Sequence, residues 1–285
     1  MEIGVGLPAA VCGVAGEQLL GWARYADEAG FSSLATLDRL VYGNCESLVA
    51  LAASAGVTRR IRLAATVLLA PYRGNPALLA KQLATLDRIS EGRLVAGLAA
   101  GGREDDFVAA DLPYARRGRT LDTAVERMTS IWAGAEPGGR IGPSPYRGSP
   151  PLIFGGHTEI AIRRAARYGQ GWISGGSSAS GYRELAERAR RGWVAEGRQD
   201  QPRLLALAYF ALGPQGAEVA RRYVGEYYAF LGEKATDRIT QGVLTDPARL
   251  RETVAAYADA GCTELILMPC AAERSQLELL DGVVH

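Results

Sequence analysis

The sequence predicts an α/β fold, a closed (β/α)8 barrel, and three observations predict it. Eight short β-type runs alternate strictly with amphipathic helical stretches. The third run, Ile61–Leu68, is apolar almost throughout, as expected of a strand covered on both faces. The eight units fill roughly 280 residues, a usual barrel length, with no composition shift long enough to be a linker. Residues 1–285 are therefore expected to form one domain. An open doubly wound sheet is the alternative that alternation alone leaves standing.

The elements follow in order. Glu2–Pro8 reads as the first strand. Glu17–Ala29 carries Leu19, Leu20, Trp22, Ala23 and Ala26 on one helical face, and Gly30 stops it. Phe31–Leu37 is the second strand, followed by a helix capped by Asn44, running through Ala55 and closed by Gly56. After the third strand, Asn75-Pro76 supplies a cap and a first-position proline for a helix to about Ser90. Arg93–Ala99 is the fourth strand and Arg117–Trp132 the next long helix, with a Gly- and Pro-rich loop over Ala133–Ser149. Strand Pro151–Phe154 leads to helix His157–Tyr168, and strand Gly171–Ser174 to helix Gly181–Glu196. Strand Arg203–Leu212 leads to helices near Gly216–Leu231 and Pro247–Ala260. Strand Glu264–Met268 and a helix near Ala271–Leu280 close the chain.

Composition narrows the function. Lys and Arg number 32 against 31 Asp and Glu, so bulk charge gives no handle for nucleic acid or a membrane surface. The basic residues are almost all Arg, which makes any one Arg-rich stretch a weaker phosphate signal. Cys12, Cys45, Cys262 and Cys270 show no CxxC spacing, which disfavours a zinc site or disulfide framework and points to a reducing cytoplasm. No charged leader and no apolar run of about 18 residues is present, so a soluble cytoplasmic protein is expected. His157 and His285 are the two histidines, which leaves little for Ser-His-Asp chemistry or a metal centre. Glycine stands out at 35 residues, about 12% against a usual 7%.

In a barrel, chemistry gathers at the C-terminal strand ends. Four of those ends are dominated by glycine and small residues, which lets a flat or phosphorylated ligand approach backbone amides. Gly155-Gly156-His157-Thr158 precedes a helix, and Gly175-Gly176-Ser177 repeats the pattern one unit later. Each is either a tight turn or a phosphate cradle. There is no GxGxxG after a strand and no GxxxxGK[ST], which disfavours a Rossmann enzyme and a P-loop NTPase. Asp38-Arg39 is the most charged strand end, either an ion pair bracing the rim or a polar contact to ligand. Glu104-Asp105-Asp106 reads as acids in the first turn of a short helix. Tyr223, Tyr227, Tyr228 and Phe230 read as packing residues or as one pocket wall.

The segment IRLAATVLLAPYRGNPALLAKQLATLDRISEGRL closely resembles the luciferase-like flavin and deazaflavin oxidoreductases. GLP, GFSSLATLDRL, GLAAGGREDDF, RRGRTLD, PLIFGG, GWIS and TDPARLRETVAAYADAGCTELIL follow in the family's order, so the resemblance covers nearly the whole chain. It implies a (β/α)8 barrel that binds reduced FMN or coenzyme F420 at its C-terminal mouth. By position it implies a cis peptide bulge at Thr66-Val67, flanked by Leu68, that supports the ring, and phosphate-holding loops at Gly155, Gly156, His157, Thr158, Gly175, Gly176 and Ser177. Leu7, Gly101 and Gly102 are further candidate cofactor contacts, and Asp38 and Arg39 match the polar pair near the ring, the candidate catalytic residues. Arg39 stands where many members carry His, and Gly102 where some carry a catalytic Glu. The expectation is hydride transfer between F420 and a small organic substrate. The alternatives are an FMN-dependent monooxygenase using oxygen and a non-catalytic flavin-binding barrel. No metal is expected, and the resemblance implies a homodimer.

Overall fold

The computed structural model describes residues 1–135 and 141–285. The elements run β1 (Glu2–Gly6), α1 (Gly16–Glu28), β2 (Ser33–Thr36), α2 (Ser47–Ala55), β3 (Arg62–Leu68), α3 (Pro76–Ile89), β4 (Leu94–Leu98), α4 (Glu104–Ala109) and α5 (Arg117–Trp132). They continue with β5 (Leu152–Gly155), α6 (Glu159–Tyr168), β6 (Gly171–Gly175), α7 (Ala179–Ala195), β7 (Arg203–Phe210), α8 (Gly216–Tyr227), α9 (Glu233–Gly242), α10 (Pro247–Asp259), β8 (Glu264–Pro269) and α11 (Arg274–Val284).

The eight strands pair in sequence order, all parallel, and β1 pairs with β8 through Ile3 and Leu265, so the sheet closes. Closure excludes the open doubly wound sheet. Alternation along each strand then builds two apolar layers. Leu34, Leu63, Ala206 and Leu265 face the helices, while Ala35, Ala64, Leu205 and Ile266 fill the barrel. The inner layer rises into the mouth through Leu207, Tyr209 and Met268.

Local chemistry starts the helices where backbone donors find acceptors. Asn75 accepts from the Ala77 and Leu78 amides at 3.0 and 3.2 Å, with Pro76 following, as the sequence predicts. The cap of α2 differs from the expectation. Glu46, not Asn44, caps it by accepting from the Val49 amide at 2.7 Å. Asn44 instead donates to the Cys45 carbonyl, and Arg73 holds Glu46 at the helix start. The expected helix to Leu231 ends at Tyr227, and a separate helix, α9, follows Gly232 at φ +81°. Helix α9 has ten mostly polar residues and none of them is fully buried, so little in it marks a separate core-facing helix. The last helix begins at Arg274 rather than near Ala271. The loop expected over 133–149 lies partly outside the described residues.

Candidate active site

A cavity of about 470 Å³ opens at the C-terminal end of β3 to β6. Thr66, Val67, Gly101, Gly102, Gly155, Gly156, His157, Thr158 and Gly175 line it, which brings most of the expected cofactor residues to one place. One wall is the end of β3, where the Thr66-Val67 peptide is cis and the register to β4 shifts between Ala65 and Leu68. Val67 turns toward the barrel interior over two glycines. A Cβ on Gly155 would stand 3.3 Å from Val67 Cγ1, and one on Gly97 would be driven into the Ala65 carbonyl oxygen. Gly97 is thus required by the bulge, although the sequence reading did not single it out.

The opposite wall is made by the two glycine loops. Gly156 sits at φ +126°, and a Cβ there would come 2.7 Å from Ala161 Cβ. Trp172 Nε1 donates to the Gly156 carbonyl at 2.8 Å and pins this loop from below. His157 Nε2 lies 3.0 Å from Ser174 Oγ, which lies 2.8 Å from Ser177 Oγ, so one hydrogen-bonded chain joins the two loops. The His157 ring reaches the solvent edge. The protein packed behind it, and secondarily the Arg188 guanidinium, lower its basicity and favour a neutral ring at pH 7. The Thr158 hydroxyl accepts from the Ala161 amide at 3.3 Å and caps α6. Its oxygen is therefore partly committed to the helix, while its own proton stays available.

The cavity also holds a cation the sequence reading missed. Arg117, the first residue of α5, lines it and donates from Nε to the Gly101 carbonyl at 2.9 Å. Its guanidinium lies 3.8 Å over the Tyr114 ring. Arg164 lines the cavity too, but Asp122 engages it at 2.5 Å. RRGRTLD marks Arg117 as a helix start and nothing in it marks a ligand contact, because the turn that aims the side chain is tertiary.

The remaining expected residues stand elsewhere. Leu7 and Leu68 are buried in the outer apolar layer, and neither lines the cavity. Gly176 and Ser177 line a second cavity of about 590 Å³ between β6 and β7. Asp38 and Arg39 do not pair with each other. Asp38 accepts from the Leu69 amide at 2.9 Å and from Arg73 Nη2 at 2.8 Å, which fixes the turn leaving the bulge. Arg39 donates from Nε to Asp106 Oδ2 at 3.1 Å, and Asp106 Oδ1 accepts from the Leu40 and Val41 amides. Both residues brace the rim, 5% and 8% exposed. Asp106 lies in the first turn of α4, as the sequence predicts.

Over β7 and β8 the mouth is roofed by aromatic rings. Tyr223 and Tyr227 stack at 5.8 Å, Tyr42 meets Tyr227 edge-on, and the Tyr209 and Tyr228 hydroxyls lie 2.7 Å apart. Tyr223 and Tyr227 are packing residues, while Phe230 is exposed under the Arg39 and Arg103 guanidiniums. Burial raises the Tyr209 and Tyr228 pKa values, so both phenols keep their protons at neutral pH.

Residues 1–267 match the model of the luciferase-like monooxygenase family. The chain belongs to that family. An uncharacterized protein of Mycobacterium tuberculosis is 32% identical over 222 residues, 74% of this chain and 73% of its own. An F420-dependent secondary alcohol dehydrogenase, solved with an F420-acetone adduct, superposes with a TM-score of 0.83 at 18% identity, covering 99% and 98% of the two chains. The oxygenating constituent of 3,6-diketocamphane monooxygenase from Pseudomonas putida, solved with FMN, superposes with a TM-score of 0.76 at 18% identity, over 100% and 96%. At that identity the two structures speak for the fold. Among its described residues this luciferase-like protein has no helix long and apolar enough to cross a membrane, and no group of three or more His, Cys, Asp or Glu placed to hold a metal.

Proposed function

We propose that this luciferase-like protein is an oxidoreductase that binds a phosphorylated flavin-type ring, coenzyme F420 in the first instance, in the 470 Å³ cavity and acts on a small organic molecule. The observation that carries it is the pairing of walls. A bulged, uncharged strand end at Thr66-Val67 and two glycine loops line one cavity, with Arg117 in the same lining. The residues fit such a group. Gly155 and Gly156 line the cavity with no side chain of their own, and Arg117 brings a positive charge to the same lining. F420 comes before FMN because the third-strand segment resembles the F420-dependent members most.

When bound, the reduced ring supplies a hydride or, in the FMN reading, electrons for oxygen. The chain does the rest. Val67 and Gly97 shape the surface against one ring face, and the loops at Gly155 and Gly175 hold the phosphate end. Asp38 keeps the turn at Leu69 in place, so the bulge does not relax. No carboxylate stands at Gly102, and the Tyr209 and Tyr228 hydroxyls are protonated groups held in the mouth. Titration with FMN, reduced FMN and F420, followed by fluorescence, tests the reading. Saturable binding of F420 and not FMN is expected. Binding of FMN alone moves the protein to the monooxygenase reading, and binding of none overturns both. Gly175→Asp, which adds a negative charge to the cradle where a side chain has open space, is expected to abolish binding and leave the circular dichroism spectrum unchanged.

A further inference from the structure

Strand β6 stops at Gly175, paired with Leu207, while β7 runs three residues further to Phe210. Beyond Leu207 the β7 edge is met by the segment after α9, where the Leu244 amide donates to the Tyr209 carbonyl at 2.9 Å. Between that segment and the β6 loop the barrel wall is open, and the second cavity, about 590 Å³, fills the gap. Its floor is small because residue 208 is alanine, and its sides are Ile239, Leu244 and Ala256. Tyr257 closes the far side by donating its hydroxyl to the Ser177 carbonyl. Leu207 lines this cavity and the first one, and consecutive residues Gly175 and Gly176 face the two in turn. The two compartments are therefore one residue apart.

The lining is mostly apolar, and the charged groups lie at the open rim. Arg238 of α9 and Arg249 of α10 stand there with Glu252. Arg249 donates to the Gln241 carbonyl at 2.8 Å, whereas Arg238 has no hydrogen bond or ion pair among the described residues. Two guanidiniums against one carboxylate give the rim a net positive charge.

We propose that this cleft is a ligand site separate from the cofactor cavity, and that it takes an apolar organic acid whose body lies over Ala208, on the helix side of β7, and whose anionic end meets Arg238 and Arg249. The size suits a drug-sized molecule. Its separateness from a bound cofactor rests on the neighbouring cavity being the cofactor site, whereas the binding of an apolar anion does not.

The test uses two fluorescent probes that differ in one group. 1-Anilinonaphthalene-8-sulfonate carries an anion on an apolar body, and N-phenyl-1-naphthylamine lacks the anion. The protein is expected to bind both saturably. Arg238→Glu with Arg249→Glu, both surface changes, is expected to weaken the sulfonate at least tenfold and to leave the neutral probe unchanged. Ala256→Phe fills the cleft and is expected to weaken both. Saturating F420 or FMN is expected to leave the sulfonate bound, because the compartments are separate. Equal response of the two probes to charge reversal overturns the anionic specificity. Indifference to Ala256→Phe, or displacement by the cofactor, overturns the location. Loss of cofactor binding alone, with the probe results intact, strikes the cofactor reading and leaves this binding site standing.

Discussion

Arg117 and Gly97 show how much single positions decide in the cavity. Arg117 brings a guanidinium to the glycine cradle while its Nε is spent on the Gly101 carbonyl. A charge-assisted contact contributes about 1.5–3 kcal/mol. Arg117→Gln is therefore expected to weaken FMN or F420 by about 10- to 100-fold and to leave riboflavin, which lacks the phosphate, unchanged. Fluorescence titration of the phosphorylated and dephosphorylated ligands checks it, and equal losses would place the phosphate elsewhere. Gly97 is a packing requirement, since a Cβ there collides with the Ala65 carbonyl and crowds Val67. Gly97→Ala is expected to cost about 3 kcal/mol in urea unfolding and to weaken ring binding. Neither residue was legible as functional. Glycine 97 looks like any other in GLAAGG, and Arg117 looks like any helix-start arginine.

At the scale of elements, side chains from one unit fix the strands and loops of the next. Asp27, near the end of α1, accepts from the Arg59, Arg60 and Ile61 amides at 2.8, 2.9 and 2.7 Å and so sets where β3 begins. Burial alone would raise its pKa, but these three donors outweigh it and the net shift is downward. A carboxylate with a lowered folded pKa stabilises above its unfolded value, near 4, and that contribution is lost as pH falls through the folded value. Asp27→Ala is expected to cost about 3 kcal/mol at pH 7, three amides, that of Ile61 buried, losing their acceptor. The gap to wild type should narrow at pH 3. Urea unfolding at the two pH values checks it, and a gap independent of pH would assign the loss to packing. The strands and amphipathic helices were legible because their apolar periods are strong. Helix α9 was not, since it is short, mostly polar and nowhere fully buried, and the Asn44 cap failed because Glu46 is held in place by Arg73 from the turn after β3.

For the whole molecule, the closed sheet buries tyrosines and cysteines that titrate only at alkaline pH. Burial raises Tyr209 and Tyr223 well above the phenol range, Tyr257 to about 12 and Cys262 to about 11. A raised folded pKa means stability that is complete below the unfolded value and lost as pH rises through the folded one. Between neutral pH and about pH 9 the unfolding free energy is therefore expected to be flat, and above that to fall, with Cys262 contributing about 2–3 kcal/mol of the drop by pH 11. Cys262→Ala should lessen the fall between pH 9 and 11 in urea titrations, and an unchanged fall would exclude the thiol. The sequence by itself determined the eight-unit rhythm, the barrel and the cluster of glycines at strand ends, because periodicity and backbone freedom are local properties. Tertiary structure decided what surrounds those glycines. It sent Asp38 to Leu69 and Arg73, gave Arg39 to Asp106, and aimed Arg117 into the cavity. It also let β7 outrun β6 and open a second compartment. Those outcomes depend on groups tens to hundreds of residues apart meeting across the closed sheet, and no local pattern records such a meeting.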